Sequence, residues 1–168
     1  MDNNVVRSVS RALVSKSIVA LMFNFRGVGG SQGRFGGGLA EQEDVTCALD
    51  WLVSGTEVDK GRVGLAGYSF GAMVALPVAV ADDRVKALAL ISMPPGPEQI
   101  SSLKNCSIPK LLISGSNDTV VPVKQAEIMG REAAEPKQSE IIQGADHIWW
   151  GYEEVMAEKV TDFLAQKL

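Results

Sequence analysis

Gly61-Arg62-Val63-Gly64-Leu65-Ala66-Gly67-Tyr68-Ser69-Phe70-Gly71-Ala72 is the stretch that decides how the chain is read. Its first half is a short apolar run that predicts a buried strand. The run stops at Gly67 and passes straight into residues that favour a helix. At the junction stands Gly67-Tyr68-Ser69-Phe70-Gly71, a G-x-S-x-G pattern in which a serine occupies a sharp strand-to-helix turn. Such a turn points the hydroxyl away from the sheet and leaves the backbone N–H of the next residue, Phe70, to serve an oxyanion. Glycines two before and two after are expected to let strand and helix approach without Cβ clashes. Ser69 is the candidate nucleophile.

A serine hydroxyl is a poor nucleophile until a base takes its proton. The chain has one histidine, His147, so the base is forced if the chemistry is of this kind. It lies in Gly144-Ala145-Asp146-His147, just after the last predicted strand and at the same sheet edge as Ser69. The acid that orients an imidazole has two candidates. Asp118 follows the penultimate predicted strand, in Ser114-Gly115-Ser116-Asn117-Asp118-Thr119. Asp146 competes because it adjoins His147, but neighbours in sequence usually point apart, which favours Asp118 and leaves Asp146 to brace the loop. Serine, acid and histidine then occur in the order this elbow pattern takes. All three follow strand ends, where open parallel sheets bind ligands. Phe70, Trp149 and Trp150 suggest a modest acyl pocket open to solvent; core packing accounts for them equally well.

Outward from the elbow, strands and helices alternate. Residues 2–15 predict a helix capped by Asp2 or Asn3, with Val5, Val6, Val9, Ala12 and Leu13 at helical spacing. Residues 17–25 predict a buried strand. The glycine-rich run 26–38 contains neither G-x-G-x-x-G nor G-K-[ST], so it reads as a flexible connector before it reads as a phosphate site. Residues 39–54 predict a helix with Val45, Ala48, Leu49, Leu52 and Val53 on one face. Glu41, Glu43 and Asp44 load its first turns, where the helix dipole favours anions, and Arg26 is expected to pair with one of them. The helix after Ser69 contains Pro77 and is expected to kink or restart there. Further strands are predicted at 85–92, 110–115 and 138–143, and helices near 98–103 and at 123–134 and 151–168. The irregular stretch before Pro109 has room only for a small lid. Alternation of this kind is the signature of a parallel sheet covered on both faces.

Composition narrows the classes. The 168 residues fit one domain, and such a chain buries about two-thirds of its unfolded surface. A net charge of −4 with no basic run argues against nucleic-acid binding. No apolar run is long enough to span a bilayer and residues 1–10 lack a signal-peptide core, so no membrane association and a cytoplasmic location are expected. Cys47 and Cys106 have no metal-type spacing and read as two free thiols in preference to a disulfide. No motif implies a metal, nucleotide or flavin cofactor.

The order Ser69, Asp118, His147 on alternating strands and helices resembles the α/β-hydrolase superfamily. Within it, Asn24-Phe25-Arg26-Gly27-Val28-Gly29-Gly30-Ser31-Gln32-Gly33 and Gly67-Tyr68-Ser69-Phe70-Gly71-Ala72 resemble small bacterial hydrolases without a cap domain. In that group the histidine segment tends to read Ala-Asp-His-Phe-Phe-His-Gly. Here Ala145-Asp146-His147-Ile148-Trp149-Trp150-Gly151 puts Trp150 in place of the second histidine. The resemblance implies a three-layer, doubly wound, mostly parallel sheet over residues 1–168, an α/β-hydrolase fold lacking its first three strands. In the group, Met-Asp-Asn opens the first helix after three strands and a His-Pro-His-Pro…Gly-Gly segment, so Met1 is expected to be an internal methionine of a longer protein. The family strand order 1-2-4-3-5-6-7-8 then implies an unfilled central position between residues 17–25 and 62–68. It also implies loss of the loop that supplies a second oxyanion donor, leaving Phe70 N–H alone; one such donor is worth about 10²–10³ in turnover.

The implied activity is serine-hydrolase cleavage of a small ester-type acyl substrate through an acyl-enzyme. Thioester and peptide hydrolysis use the same machinery, and a cysteine-nucleophile lactone hydrolase is disfavoured by the serine. The second class of function is a catalytically impaired or non-catalytic fold acting as a binding module. An exposed sheet edge would then invite a partner or a homo-oligomer.

Overall fold

The computed structural model describes residues 2–168. A single helix, α1 (Asn4–Ser15), precedes a long irregular stretch and α2 (Ala40–Ser54). From there strand and helix alternate: β1 (Val63–Tyr68), α3 (Phe70–Ala81), β2 (Val85–Ile91), α4 (Pro97–Asn105), β3 (Lys110–Gly115), α5 (Val123–Glu132), β4 (Lys137–Ile142) and α6 (Glu153–Lys167). The four strands form one parallel sheet in the order β1-β2-β3-β4. This is a three-layer α/β architecture, and it holds the fold class the sequence implies.

Side-chain alternation builds the layers. Along β2, Val85, Leu88 and Leu90 join the core under α2, α3, α4 and α5. Ala87, Ala89 and Ile91 face the opposite core under α1 and α6. A strand buried on both faces reads as continuously apolar, which is why Val85–Ile91 and Lys110–Gly115 were legible from sequence. α1 is capped by Asn3, whose side chain accepts the Val6 N–H, and it buries Val5, Val9 and Leu13. In α6 the buried face is Met156, Ala157, Val160, Thr161, Phe163 and Leu164, while Val155 is exposed. No helix among the described residues is long and apolar enough to cross a membrane.

Four expectations change. Residues 17–25 form no strand: Ser17 turns at φ 61°, and none of the four strands among the described residues pairs with the stretch that follows, whereas a strand needs a neighbour at hydrogen-bonding distance. α3 runs unbroken through Pro77. It is apolar all round, with Ala72, Val74, Ala75, Leu76, Val78 and Ala79 buried, and that packing outweighs the amide Pro77 lacks. The run 26–38 is not a loose connector, as its hydrogen bonds below show. Gly71, expected to relieve crowding at the elbow, faces open space: a Cβ there would meet only Phe25 Cε2, at 3.9 Å.

Candidate active site

The strand register brings the C-terminal ends of the strands into one row. Ser69 N–H donates to Ile91 O at 2.8 Å, Ser92 N–H to Ile113 O at 2.8 Å, and Ser116 N–H to Ile142 O at 2.9 Å. Each bond crosses from the residue after one strand to the end of the next, so the loops bearing the candidate residues leave the sheet side by side.

Ser69 sits between β1 and α3 with φ 51° and ψ −119°. This is a sparsely populated conformation for a residue with a Cβ, and such strain persists only where the surroundings over-determine it. Here they do. A Cβ at Gly67 would come within 2.5 Å of Gly71 O and 2.6 Å of Ala72 Cα, so helix and strand close tightly on the turn. A serine in this position ordinarily caps its helix with its own hydroxyl. Ser69 makes no such cap; Oγ lies 2.9 Å from His147 Nε2. As the first residue of α3, Phe70 keeps an amide the helix leaves unpaired, at the positive end of the dipole.

The imidazole is held from behind. His147 Nδ1 lies 2.9 Å from Asp118 Oδ2 and 3.0 Å from Oδ1, and the carboxylate is wholly buried. Oδ1 also accepts the N–H groups of Val120 (2.9 Å) and Val121 (2.7 Å), which fix the acid in place. Asp146 takes the other role expected of it: Oδ1 accepts the Trp150 N–H at 3.2 Å, inside its own loop. The loops bearing Asp118 and His147 are stitched together by Asn117 N–H to Ala145 O (2.9 Å) and Gly144 N–H to Ser116 Oγ (2.8 Å). Gly115 permits this approach, since a Cβ there would fall 2.1 Å from Ala145 O.

Two positioning residues, Tyr68 and Ser92, were not singled out from sequence. Tyr68 donates its hydroxyl to His147 O at 2.9 Å, tying the elbow to the histidine loop. Burial and the charges of Asp118 and Asp146 push its phenol above the ordinary range, so it stays a donor. Trp149, one of the residues expected to line a pocket, is fully buried. Its Nε1–H donates to Ser92 Oγ at 3.1 Å, anchoring the same loop to the end of β2. Trp150, by contrast, is exposed.

The glycine-rich run is pinned on the far side of Ser69. Arg26 forks onto Asp44, with bonds of 2.8–3.2 Å, and reaches Glu43 at 3.1 Å. The pairing raises the guanidinium and lowers the Asp44 carboxyl relative to their usual values. Glu41 is fully buried and accepts the Gly36 N–H (2.7 Å) and the Gly38 N–H (2.8 Å). Those bonds hold its carboxyl below the normal range against the effect of burial. The loop thereby seats Phe35 against Phe70, ring centroids 5.4 Å apart, with Phe25 edge-on to Phe70 at 5.6 Å. Exposed Phe35, Leu39, Val120, Ile148 and Trp150 border the loops that carry the site. An open depression lined by Pro95, Pro97, Ile100 and Pro122 lies between α4 and the start of α5. Both cysteines are free, and no group of three His, Cys, Asp or Glu among the described residues is placed to hold a metal ion.

Fold and residue arrangement define a serine-hydrolase type of α/β protein, and comparison with known proteins agrees. The structure superimposes on an α/β serine hydrolase homologue from Coxiella burnetii with a TM-score of 0.85 and 32% identity, over 100% of this chain and 77% of that one. A lidless α/β serine hydrolase from Xanthomonas campestris gives 0.88 at 28%, over 100% and 75%. An uncharacterized Rickettsia prowazekii protein is 31% identical over 98% of this chain and 72% of its own length. The sequence profile of the family described as X-Pro dipeptidyl-peptidase (S15 family) matches residues 3–102, and the chain belongs to that family within the α/β-hydrolase superfamily.

Proposed function

We propose that the chain hydrolyses small ester-type acyl substrates with Ser69 as nucleophile, His147 as base and then acid, and Asp118 as the orienting carboxylate. The observation that carries this reading is the continuous contact from Ser69 Oγ through the His147 ring to buried Asp118. Ser69 Oγ attacks the acyl carbon while its proton passes to His147 Nε2. Asp118 holds the ring in the tautomer with Nδ1–H and stabilises the imidazolium. The oxyanion draws on Phe70 N–H. Collapse expels the alcohol, which takes the proton from Nε2. Water, deprotonated by His147, then cleaves the acyl-serine to release the carboxylic acid and restore Oγ–H. The apolar rim of Phe35, Phe70 and Ile148 favours an apolar acyl group.

A fluorophosphonate probe should label the wild-type chain and spare Ser69→Ala; equal labelling of both refutes the nucleophile. Nitrophenyl esters of increasing chain length, run beside glycyl-prolyl nitroanilide, separate ester from dipeptidyl-peptidase chemistry. The unpaired edge of β1 favours a second reading, a binding module with little turnover. Ser69-dependent labelling without ester or anilide turnover would select it.

A further inference from the structure

The loop that carries His147 is strained. Trp149 holds φ 61°, and Ser92, whose hydroxyl accepts the Trp149 indole N–H, holds φ 45°; both are fully buried. Non-glycine residues stay in that region only where their surroundings over-determine them. Tyr68 holds the His147 carbonyl and Ser92 holds Trp149. Between those two points lies Ile148, whose side chain is half exposed and buries too little to fix its own peptide.

The Ile148 peptide is held from α1 instead. Asn4 Nδ2 donates to Ile148 O at 2.7 Å and to Glu153 Oε1 at 3.1 Å. Asn4 is the first residue of α1 but does not cap that helix, because Asn3 does so by accepting the Val6 N–H. Both protons of the Asn4 amide therefore go outside the helix, to a carbonyl and a carboxylate, neither of which can donate. That pair of acceptors dictates which way the amide faces. An aspartate in its place would set a third acceptor against them with no proton to share. Glu153, in the first turn of α6, is a fixed post: its own N–H, the Asn4 amide and the N–H groups of Gly151 and Tyr152 hold its carboxyl below the ordinary range.

We propose that Asn4 is a positioning residue for His147: braced on Glu153, it holds the Ile148 peptide and thereby sets the aim of the imidazole at Ser69 Oγ. Asn4 touches neither substrate nor the reacting atoms and acts through the neighbour of the base. The catalytic meaning of this role rests on the hydrolase reading; the aim of the ring does not.

The chain has a single histidine, so its imidazole gives one set of NMR signals, read without turnover. Asn4→Ala removes both bonds, and alanine suits a helix better than asparagine, so α1 should survive and the urea midpoint should stay near that of wild type. Fluorophosphonate labelling of Ser69 should fall about tenfold, the effect of a shift well short of the 1 Å that costs about 10². The His147 Nδ1–H should exchange with water faster than in wild type. Asn4→Asp should lose more than Asn4→Ala, and Glu153→Gln, which keeps an oxygen for Asn4 to reach, should label at close to the wild-type rate. Wild-type labelling with an unchanged Nδ1–H signal in Asn4→Ala would overturn the proposal. So would a loss of labelling that follows a lowered urea midpoint while the Nδ1–H signal stays as it was, since Asn4 would then serve stability alone. Faster Nδ1–H exchange in Asn4→Ala, in a protein that no probe labels, would uphold the positioning role and refute the hydrolase reading.

Discussion

Gly67→Ala tests whether the turn that carries Ser69 is set by close packing. A Cβ at residue 67 would lie 2.5 Å from Gly71 O, 2.6 Å from Ala72 Cα and 2.7 Å from Ala72 N. Ordinary contact begins at 3.4 Å, so β1 and the first turn of α3 must separate by about 0.9 Å. All three obstructing atoms are backbone, and no side chain can swing aside. Overpacking of this kind costs about 1–3 kcal/mol of stability. The activity cost is larger, since Ser69 rides on the displaced segment: a misplacement near 1 Å is worth about 10² in rate. Gly71→Ala is the control, with only Phe25 Cε2 at 3.9 Å in its way, and replacing a helical glycine by alanine is worth about 1 kcal/mol in its favour. Urea denaturation and the rate of fluorophosphonate labelling would be measured on both. Gly67→Ala should lose on both counts and Gly71→Ala on neither. Wild-type labelling by Gly67→Ala, or equal damage from the two variants, would refute the steric account.

Other expectations follow from buried polar groups. The Glu41 carboxyl is held below its unfolded value of about 4.3 by the Gly36 and Gly38 amides. Just below that value the unfolded chain therefore binds more protons, and stability rises with pH. The contribution is complete above about pH 5 and is lost as pH falls through the folded value. Urea midpoints from pH 3.5 to 6 should show Glu41→Gln less stable at pH 6 and flatter in slope; Asp44, lowered by Arg26, keeps the slope from vanishing. Among the described residues Thr161 Oγ1 is buried without a hydrogen-bond partner. Thr161→Val should raise stability by about 1 kcal/mol in the same assay, and a loss would mean the hydroxyl is satisfied.

What could be read from the sequence was whatever is encoded locally. The strand Lys110–Gly115 was legible to the residue because it is buried on both faces, and the elbow because a glycine, a serine and a helix-forming run meet within five residues. Asp118 and His147 were legible through their places after strands. Residues 17–25 have the composition of a strand, but pairing is a property of two segments, and no local pattern reports a missing neighbour. Glu41 looked like a helix-dipole residue; that it is buried and holds the glycine run depends on how that run folds back. Trp149 could not be divided between pocket and core until its indole N–H met Ser92.

The unpaired edge of β1 and the Ser69–His147–Asp118 contacts lie on opposite sides of that strand. Contacts on the β2, β3 and β4 side position Ser69, His147 and Asp118: Ser69 N–H to Ile91 O, Tyr68 Oη–H to His147 O, Trp149 to Ser92, and the stitching of the two loops. From the other side Asn4 of α1 donates its amide to Ile148 O at 2.7 Å, beside His147. The Phe70 side is different. Phe70 is packed by Phe25 and Phe35, which stand just before and within the glycine-rich run. Phe35→Ala should therefore leave the spacing of the three side chains unchanged and act on the environment of the Phe70 amide. The rate of fluorophosphonate labelling would fall while Ser69 remains the labelled residue. A Phe35→Ala variant that labels at the wild-type rate would contradict this division of the site.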